Sequence, residues 1–234
     1  MLLSTVLLPL AVVLQQALGQ HIPGKMAPKH QKEILDRFNA IRREVQPTAR
    51  NMMKMVWSDK ASESARRWVS QCQFRISPIK DRTVDGFPCG ETLSQTKTAS
   101  SWKDVIESWA STKPHFKYGI GPTDPKKNIY SYTQLIWHNT YMVGCAVGYC
   151  KENTFPFLYL CHYCPGGNSQ DKVKRPYDEG PPCADCPNEC DDKLCMKACP
   201  YKNVYSECGT MKNLFTCQSD IMSDACPATC KCST

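Results

Sequence analysis

The 234-residue sequence has no Asn-x-Ser/Thr sequon, no Gly-x-Ser-x-Gly elbow and no His-Glu-x-x-His pair. The first absence removes N-glycan acceptors; the other two remove the local signatures of serine hydrolases and zinc proteases. Histidine is scarce, at positions 21, 30, 115, 138 and 162 only. Charge is missing altogether from Met1 to Gln20, where Leu, Val and Ala dominate and Ala17-Leu18-Gly19 offers small residues for cleavage. Pro9 interrupts that stretch, and a span needs about 20 consecutive apolar residues. Residues 1–19 therefore read as a secretory signal peptide rather than an anchor, despite the lack of an n-region Lys or Arg. No later segment is apolar enough to span. A chain with 22% charged and 41% hydrophobic residues is neither a disordered tail nor a membrane bundle.

Cysteine is abundant and unevenly placed. Six of the 16 cysteines fall in residues 21–182 and ten in residues 183–234. A 52-residue tail of that composition cannot rest on a hydrophobic core and must be stapled. Charge divides the same way. Residues 21–182 carry 24 Lys+Arg against 15 Asp+Glu, and residues 183–234 carry 5 against 7. The large part is thus basic and the tail slightly acidic.

Ile34, Leu35, Phe38, Ile41 and Val45 form one apolar face of a helix over residues 29–46, with Arg37, Arg42 and Arg43 on the wet side and Pro47 ending it. A second helix over 58–72 has Ser58 as N-cap and Ala61, Ala65, Trp68 and Val69 inward. A third spans 101–110, with Trp102, Val105, Ile106 and Trp109 on one stripe. From Tyr130 the text turns β-branched and aromatic, and Tyr132, Gln134–Trp137, Met142–Tyr149 and Phe155–Tyr163 read as strands. Helices followed by strands predict an α+β fold. Residues 165–182, with four prolines and little apolar content, read as a linker.

Cys161-x-x-Cys164 and Cys183-x-x-Cys186 have zinc-ribbon spacing. An oxidising compartment and twelve further cysteines favour disulfides instead.

Tyr132-Thr133-Gln134-Leu135-Ile136-Trp137 and Leu158-Tyr159-Leu160-Cys161-His162-Tyr163-Cys164-Pro165-Gly166-Gly167-Asn168 resemble the two signatures of the CAP superfamily. Asn51 to Trp57 and Cys89-Gly90-Glu91 add to the likeness. The ten-cysteine tail narrows it to the cysteine-rich secretory protein (CRISP) family. The resemblance covers residues 32–232. It implies an α-β-α sandwich CAP domain over 20–164, the linker over 165–182, a cystine hinge over 183–198, and a small helical domain over 199–232 similar to the sea-anemone toxin ShK. It also implies the pairing, since six cysteines alone allow fifteen connectivities. The implied pairs are Cys72–Cys150, Cys89–Cys164 and Cys145–Cys161 in the large domain, Cys183–Cys190 and Cys186–Cys195 in the hinge, and Cys199–Cys232, Cys208–Cys226 and Cys217–Cys230 in the tail. The loop closed by Cys199–Cys232 alone would contribute about 3.8 kcal/mol in the chain-entropy account.

Many CAP domains line a cleft with two histidines and two glutamates, a donor set that suits zinc. Carried over by motif, the four positions here are Ile76, Glu91, Thr112 and Ser131. With both histidines and one glutamate gone, no metal or other cofactor is expected. Glu91 would stand alone in the cleft, without a second carboxylate for acid–base work, and His162 would be a partly buried polar residue between two half-cystines. The reading is therefore non-enzymatic.

The resemblance implies a protein secreted to the extracellular space that acts by binding a cell-surface partner, as reproductive-tract members do in sperm coating, gamete interaction or calcium-channel modulation. A channel-blocking toxin and a lipid or sterol carrier are the alternatives; nucleic acid is not an expected partner. The pore-plugging Lys-Tyr pair of sea-anemone toxins has no counterpart in residues 218–225, which hold two acids and no lysine or aromatic. Two partner surfaces are open. One is basic, with Arg42, Arg43, Arg66, Arg67, Lys126 and Lys127, and is the favoured docking face. The other is apolar, with Tyr201, Tyr205, Met211, Leu214, Phe215, Ile221 and Met222, unless these residues simply pack on the cystines.

Overall fold

In the computed structural model, residues 24–196 and 203–231 are described. The expected signal peptide, Tyr201, and the Cys199–Cys232 pair lie outside the described residues.

Helix α1 (Pro28–Arg43) starts with a proline, whose missing N–H costs nothing in the first turn, and buries Ile34, Phe38 and Ile41. Helix α2 (Asp59–Val69) is capped by Ser58 Oγ, which accepts from Ala61 N at 3.2 Å. Helix α3 (Trp102–Ala110) is capped in the same way by Ser101. Between them lie β1 (Val56–Trp57), the short ladder β2 (Thr83–Val84) with β3 (Phe87–Pro88), and β4 (Gly90–Thr96). A second short ladder, β5 (Phe116–Lys117) with β6 (Gly121–Pro122), precedes helix α4 (Tyr130–Leu135). Strands β7 (Met142–Tyr149) and β8 (Phe157–Cys164) follow.

The main sheet has the order β1-β7-β8-β4, antiparallel except for β1 against β7. Alternate residues of β7 and β8 point to opposite sides. Val143, Cys145, Tyr159, Cys161 and Tyr163 join the core built by α1, α3 and α4. Ala146, Leu158 and Leu160 meet Ala65, Trp68 and Val69 of α2 on the other side. This is an α-β-α sandwich. Gly144 sets the approach of α2: a Cβ there would lie 2.0 Å from Ser62 N.

Three readings of the sequence need correction. Residues 130–135 form a helix, not a strand. Residues 132–137 are all buried, so the segment shows no polar face to mark a helical period. Residues 165–182 are not a free linker. Tyr177 lies in the main core and stacks on Tyr118 with centroids 4.9 Å apart, and the Tyr118 hydroxyl donates to Tyr177 O at 2.8 Å. Ala49 and Glu179 form an antiparallel bridge, flanked by bonds from Arg50 N to Asp178 O and from Gly180 N to Thr48 O. Arg42, placed above on the wet face of α1, is fully buried.

The next segment is docked as well. The hairpin β9 (Cys190–Asp191) and β10 (Leu194–Cys195) turns through Asp192 and Lys193, both at positive φ. Leu194 sits in the main core. Cys195 N donates to Met52 O and Lys54 N to Cys195 O, both at 2.7 Å. Ion pairs Lys54–Asp191 and Arg43–Asp192 close the edge. Among the described residues, the C-terminal part holds three short helices, α5 (Cys208–Leu214), α6 (Asp220–Ala225) and α7 (Pro227–Lys231), around a core of Cys208, Met222 and Cys226.

Seven disulfides are present among the described residues: Cys72–Cys150, Cys89–Cys164, Cys145–Cys161, Cys183–Cys190, Cys186–Cys195, Cys208–Cys226 and Cys217–Cys230. None of the described cysteines is free. Among the described residues no helix is long and apolar enough to cross a membrane.

Candidate functional site

The four cleft positions do not assemble a site. Ile76 is 54% exposed, and its neighbour Ser77 is buried. Glu91, the second residue of β4, lies directly opposite His162 of β8. Its side chain is turned away from solvent and fully engaged. Oε1 accepts from Ser77 N at 3.1 Å, and Oε2 accepts from the Ser77 hydroxyl and from His162 Nε2 at 2.9 Å. His162 is itself completely buried. Its Nδ1 lies 3.0 Å from Ser64 Oγ. Ser64 donates its one hydroxyl proton to Asp81 O at 2.8 Å, which leaves its lone pairs for His162 Nδ1–H. Both ring nitrogens thus have an oxygen partner, Ser64 on one side and the Glu91 carboxylate on the other. Glu91 is thus not alone, and His162 is not merely a polar residue between half-cystines. Each answers the other's burial.

Thr112 and Ser131 serve the opposite layer. Thr112 Oγ1 donates to Trp109 O at 3.4 Å and accepts from Tyr132 N at 3.3 Å, tying α3 to α4. Ser131 is a half-buried residue of α4. One carboxylate already saturated by three donors, one isoleucine and two hydroxyls do not fit a divalent metal. A second grouping, the sulfurs of Cys183, Cys186 and Cys195, lies within 4.8 Å, but each sulfur belongs to a disulfide. A metal ligand would have to be a thiolate.

The basic partner surface is thinner than its residue count. Arg42 is sealed inside and donates to five carbonyls: Met53 O from Nε, Leu135 O from Nη1, and Trp137, His138 and Thr140 O from Nη2, at 2.8–3.0 Å. Burial pulls its guanidinium down to about 9, above neutral pH, so it stays charged. Arg43 pairs with Asp192 at 2.7 Å and Arg66 with Glu63 at 2.6 Å; Arg67 lies 3.9 Å from Glu63. Lys126 and Lys127 are exposed on the turn before α4.

The apolar residues of the tail divide into two groups. Met211 and Met222 pack on the cystines. Val204 (68% exposed), Tyr205, Leu214 (75% exposed), Phe215 and Ile221 do not. A unit whose core, among the described residues, is three side chains leaves them outside it.

The cysteine-rich secretory protein family model, CAP, matches residues 35–163, and the Crisp model matches residues 183–234. Human cysteine-rich secretory protein 3 is 41% identical over 204 residues, 87% of this chain and 83% of that one. The cysteine-rich venom protein helothermine of Heloderma horridum horridum is 40% identical over 240 residues, 100% of this chain and 99% of its own. Among solved structures, Na-ASP-1 superposes with a TM-score of 0.60 at 28% identity over 74% of this chain, which spans about half (48%) of that protein. NaASP2 with Zn2+ superposes with a TM-score of 0.59 at 23% identity, over 74% of this chain and 97% of that one, and shares the fold. The number of disulfides suits an extracellular, oxidising setting. The chain belongs to the cysteine-rich secretory protein family.

Proposed function

We propose that this protein is a secreted, non-enzymatic member of its family that binds a cell-surface protein through its C-terminal cysteine-rich part, in the reproductive tract, where it coats sperm, contacts the egg or modulates a calcium channel. The observation that carries the reading is the set of large apolar side chains left outside the tail's core, with Leu214 and Phe215 foremost. Apolar and aromatic side chains that fold without being covered are what a partner's pocket recognises. The basic alternative loses weight because Arg42 is buried and Arg43 and Arg66 already have carboxylate partners. The non-enzymatic reading rests on Glu91, whose carboxylate is held below the surface by Ser77 and His162. A carrier reading has no comparable support. Two open clefts of about 750 and 620 Å³ are lined largely by charged side chains, among them Lys60 and Arg67 in one and Arg50 and Asp178 in the other.

Likeness to the venom protein helothermine along the whole chain favours a second reading, a venom component; its target in that reading is an ion channel met through the same tail. Attachment of labelled protein to sperm or to channel-expressing cells, across a salt series, tests the contact. Leu214→Ser with Phe215→Ser should abolish attachment, and Lys126→Glu with Lys127→Glu should leave it intact with little salt dependence. The reverse result moves the contact to the basic face and overturns the reading. A channel current blocked by wild type, with no attachment to gametes, replaces the first reading by the second.

A further inference from the structure

Three segments meet at one end of the main sheet: the β7–β8 hairpin, the exit of α2, and the exit of β4. Cys72–Cys150 joins the first two, with Cα atoms 5.5 Å apart, and Asn153 Nδ2 reaches Cys72 O at 3.5 Å. Register pairs Thr96 with Phe157, which brings the third alongside. The hairpin turn is held by Cys150 N to Pro156 O at 2.7 Å and Asn153 N to Cys150 O at 2.9 Å. Each segment carries a large ring out into solvent or a cation beside one. Tyr149 and Phe155 of the hairpin and Phe74 of the α2 exit are exposed. Tyr149 leans on Phe157 at 5.2 Å between centroids, and Lys97 Nζ stands 5.8 Å from the Phe155 ring. Residues 71–76, 97–104 and 149–157 hold four cations, Arg75, Lys97, Lys103 and Lys151, against the acids Asp104 and Glu152.

Exposed aromatics on a rigid, disulfide-braced tip are costly to leave in water unless something receives them. Aromatic rings with lysine and arginine around them match the headgroup layer of a bilayer. The rings settle at the level of the glycerol and the cations meet negative lipids. The net positive charge of these segments complements an anionic leaflet. We propose that this end of the sheet docks peripherally on an anionic lipid bilayer. The docking uses none of the tail's exposed apolar residues, and it stands whether or not the tail reading holds.

The test is sedimentation of the full secreted chain with phosphatidylcholine vesicles, with and without phosphatidylserine and free of any protein. Wild type should bind the phosphatidylserine vesicles and release as salt rises. Each cation removed should weaken binding about fivefold, so Lys97→Gln with Lys151→Gln should weaken it about 25-fold. Tyr149→Ser with Phe155→Ser should abolish it. The single variant Lys151→Gln, on an exposed turn, covers the case in which the double variants fold poorly, and a circular dichroism melt identifies that case. Leu214→Ser with Phe215→Ser should bind as wild type does. The proposal is overturned by wild type that ignores phosphatidylserine vesicles, by hairpin variants that bind undiminished, or by loss of binding in the tail variant alone.

Discussion

Replacing Arg42 by methionine keeps the length of the side chain and removes every donor. Five carbonyls lose their partner. Two of them keep another: His138 O still accepts from Met53 N, and Trp137 O from Thr140 N. Among the described residues, Met53, Leu135 and Thr140 O have only Arg42. A buried acceptor left unpaired costs about 1–3 kcal/mol, so three cost about 3–9 kcal/mol. Relief from burying a cation offsets several of these. A net loss of about 3–5 kcal/mol follows, a large part of the 5–15 kcal/mol typical of a whole domain. The position explains why the loss does not stay local. Leu135 ends α4, so Arg42 caps a helix C-terminus with a cation. Met53 lies in the segment on which β10 docks, so the same guanidinium fixes α1, α4 and the support of the cystine hairpin.

Thermal unfolding by circular dichroism checks this. At about 2–4 °C per kcal/mol for a chain of this size, Arg42→Met should lower Tm by about 6–20 °C. Arg42→Lys keeps the charge and up to three donors and should recover part of the loss. A methionine variant within 1 °C of wild type, or a lysine variant as unstable as methionine, would refute the accounting: the first would mean that the carbonyls are met by water, the second that guanidinium geometry is the whole effect.

The Glu91–His162 pair should behave as a unit: Glu91→Gln or His162→Gln alone should cost about 3–5 kcal/mol, and the double variant much less than their sum, as read by a denaturant double-mutant cycle. Leu194→Ala should cost about 2–4 kcal/mol and open residues 183–196 to limited proteolysis; a fully resistant, undiminished variant would show that the hairpin is not held by the core. Burial raises Tyr132 to about 12 and holds Tyr163 and Tyr177 well above the usual phenol range. These hydroxyls ionise near 10 in the unfolded chain, so stability is full below pH 10 and falls as pH rises through the folded values. Tyr132→Phe should make that fall shallower in equilibrium unfolding above pH 10, by up to one proton.

Helices α1, α2 and α3 were legible because each has one dry face, and α2 and α3 also have a recognisable start. Ser58 and Ser101 cap where a serine precedes an apolar stripe. Strands β7 and β8 were legible from their β-branched and aromatic runs. What failed did so where burial is complete or where polar groups are satisfied at long range. Residues 132–137 show no alternation because nothing in them faces water, so a helix passes for a strand. The run 165–182 is rich in proline and charge, as linkers are, yet its backbone pairs with residues more than 100 positions earlier, a partner no local window contains. Strand β4 carries Gly, Glu, Ser and Gln and has little strand signal of its own; its register is imposed by β8.

The same rule governs the side chains that matter for function. An arginine is placed on the wet face of a helix because its charge must be solvated, and for Arg43 a carboxylate at the surface does accompany it. Arg42 is solvated too, by five peptide carbonyls from two other segments, and the sequence has no mark for carbonyls. Glu91 was found by its place after Cys-Gly, but its partner was hidden 71 residues on, in a position fixed only by strand register. Both corrections point the same way for the molecule. Arg42, Glu91 and His162, which looked available for docking, metal or catalysis, are used internally, while the tail and the hairpin end keep large apolar side chains in water. A partner for this protein is to be sought by what buries Leu214 and Phe215 in the tail, and by what receives Tyr149 and Phe155 together with the lysines beside them at the hairpin end.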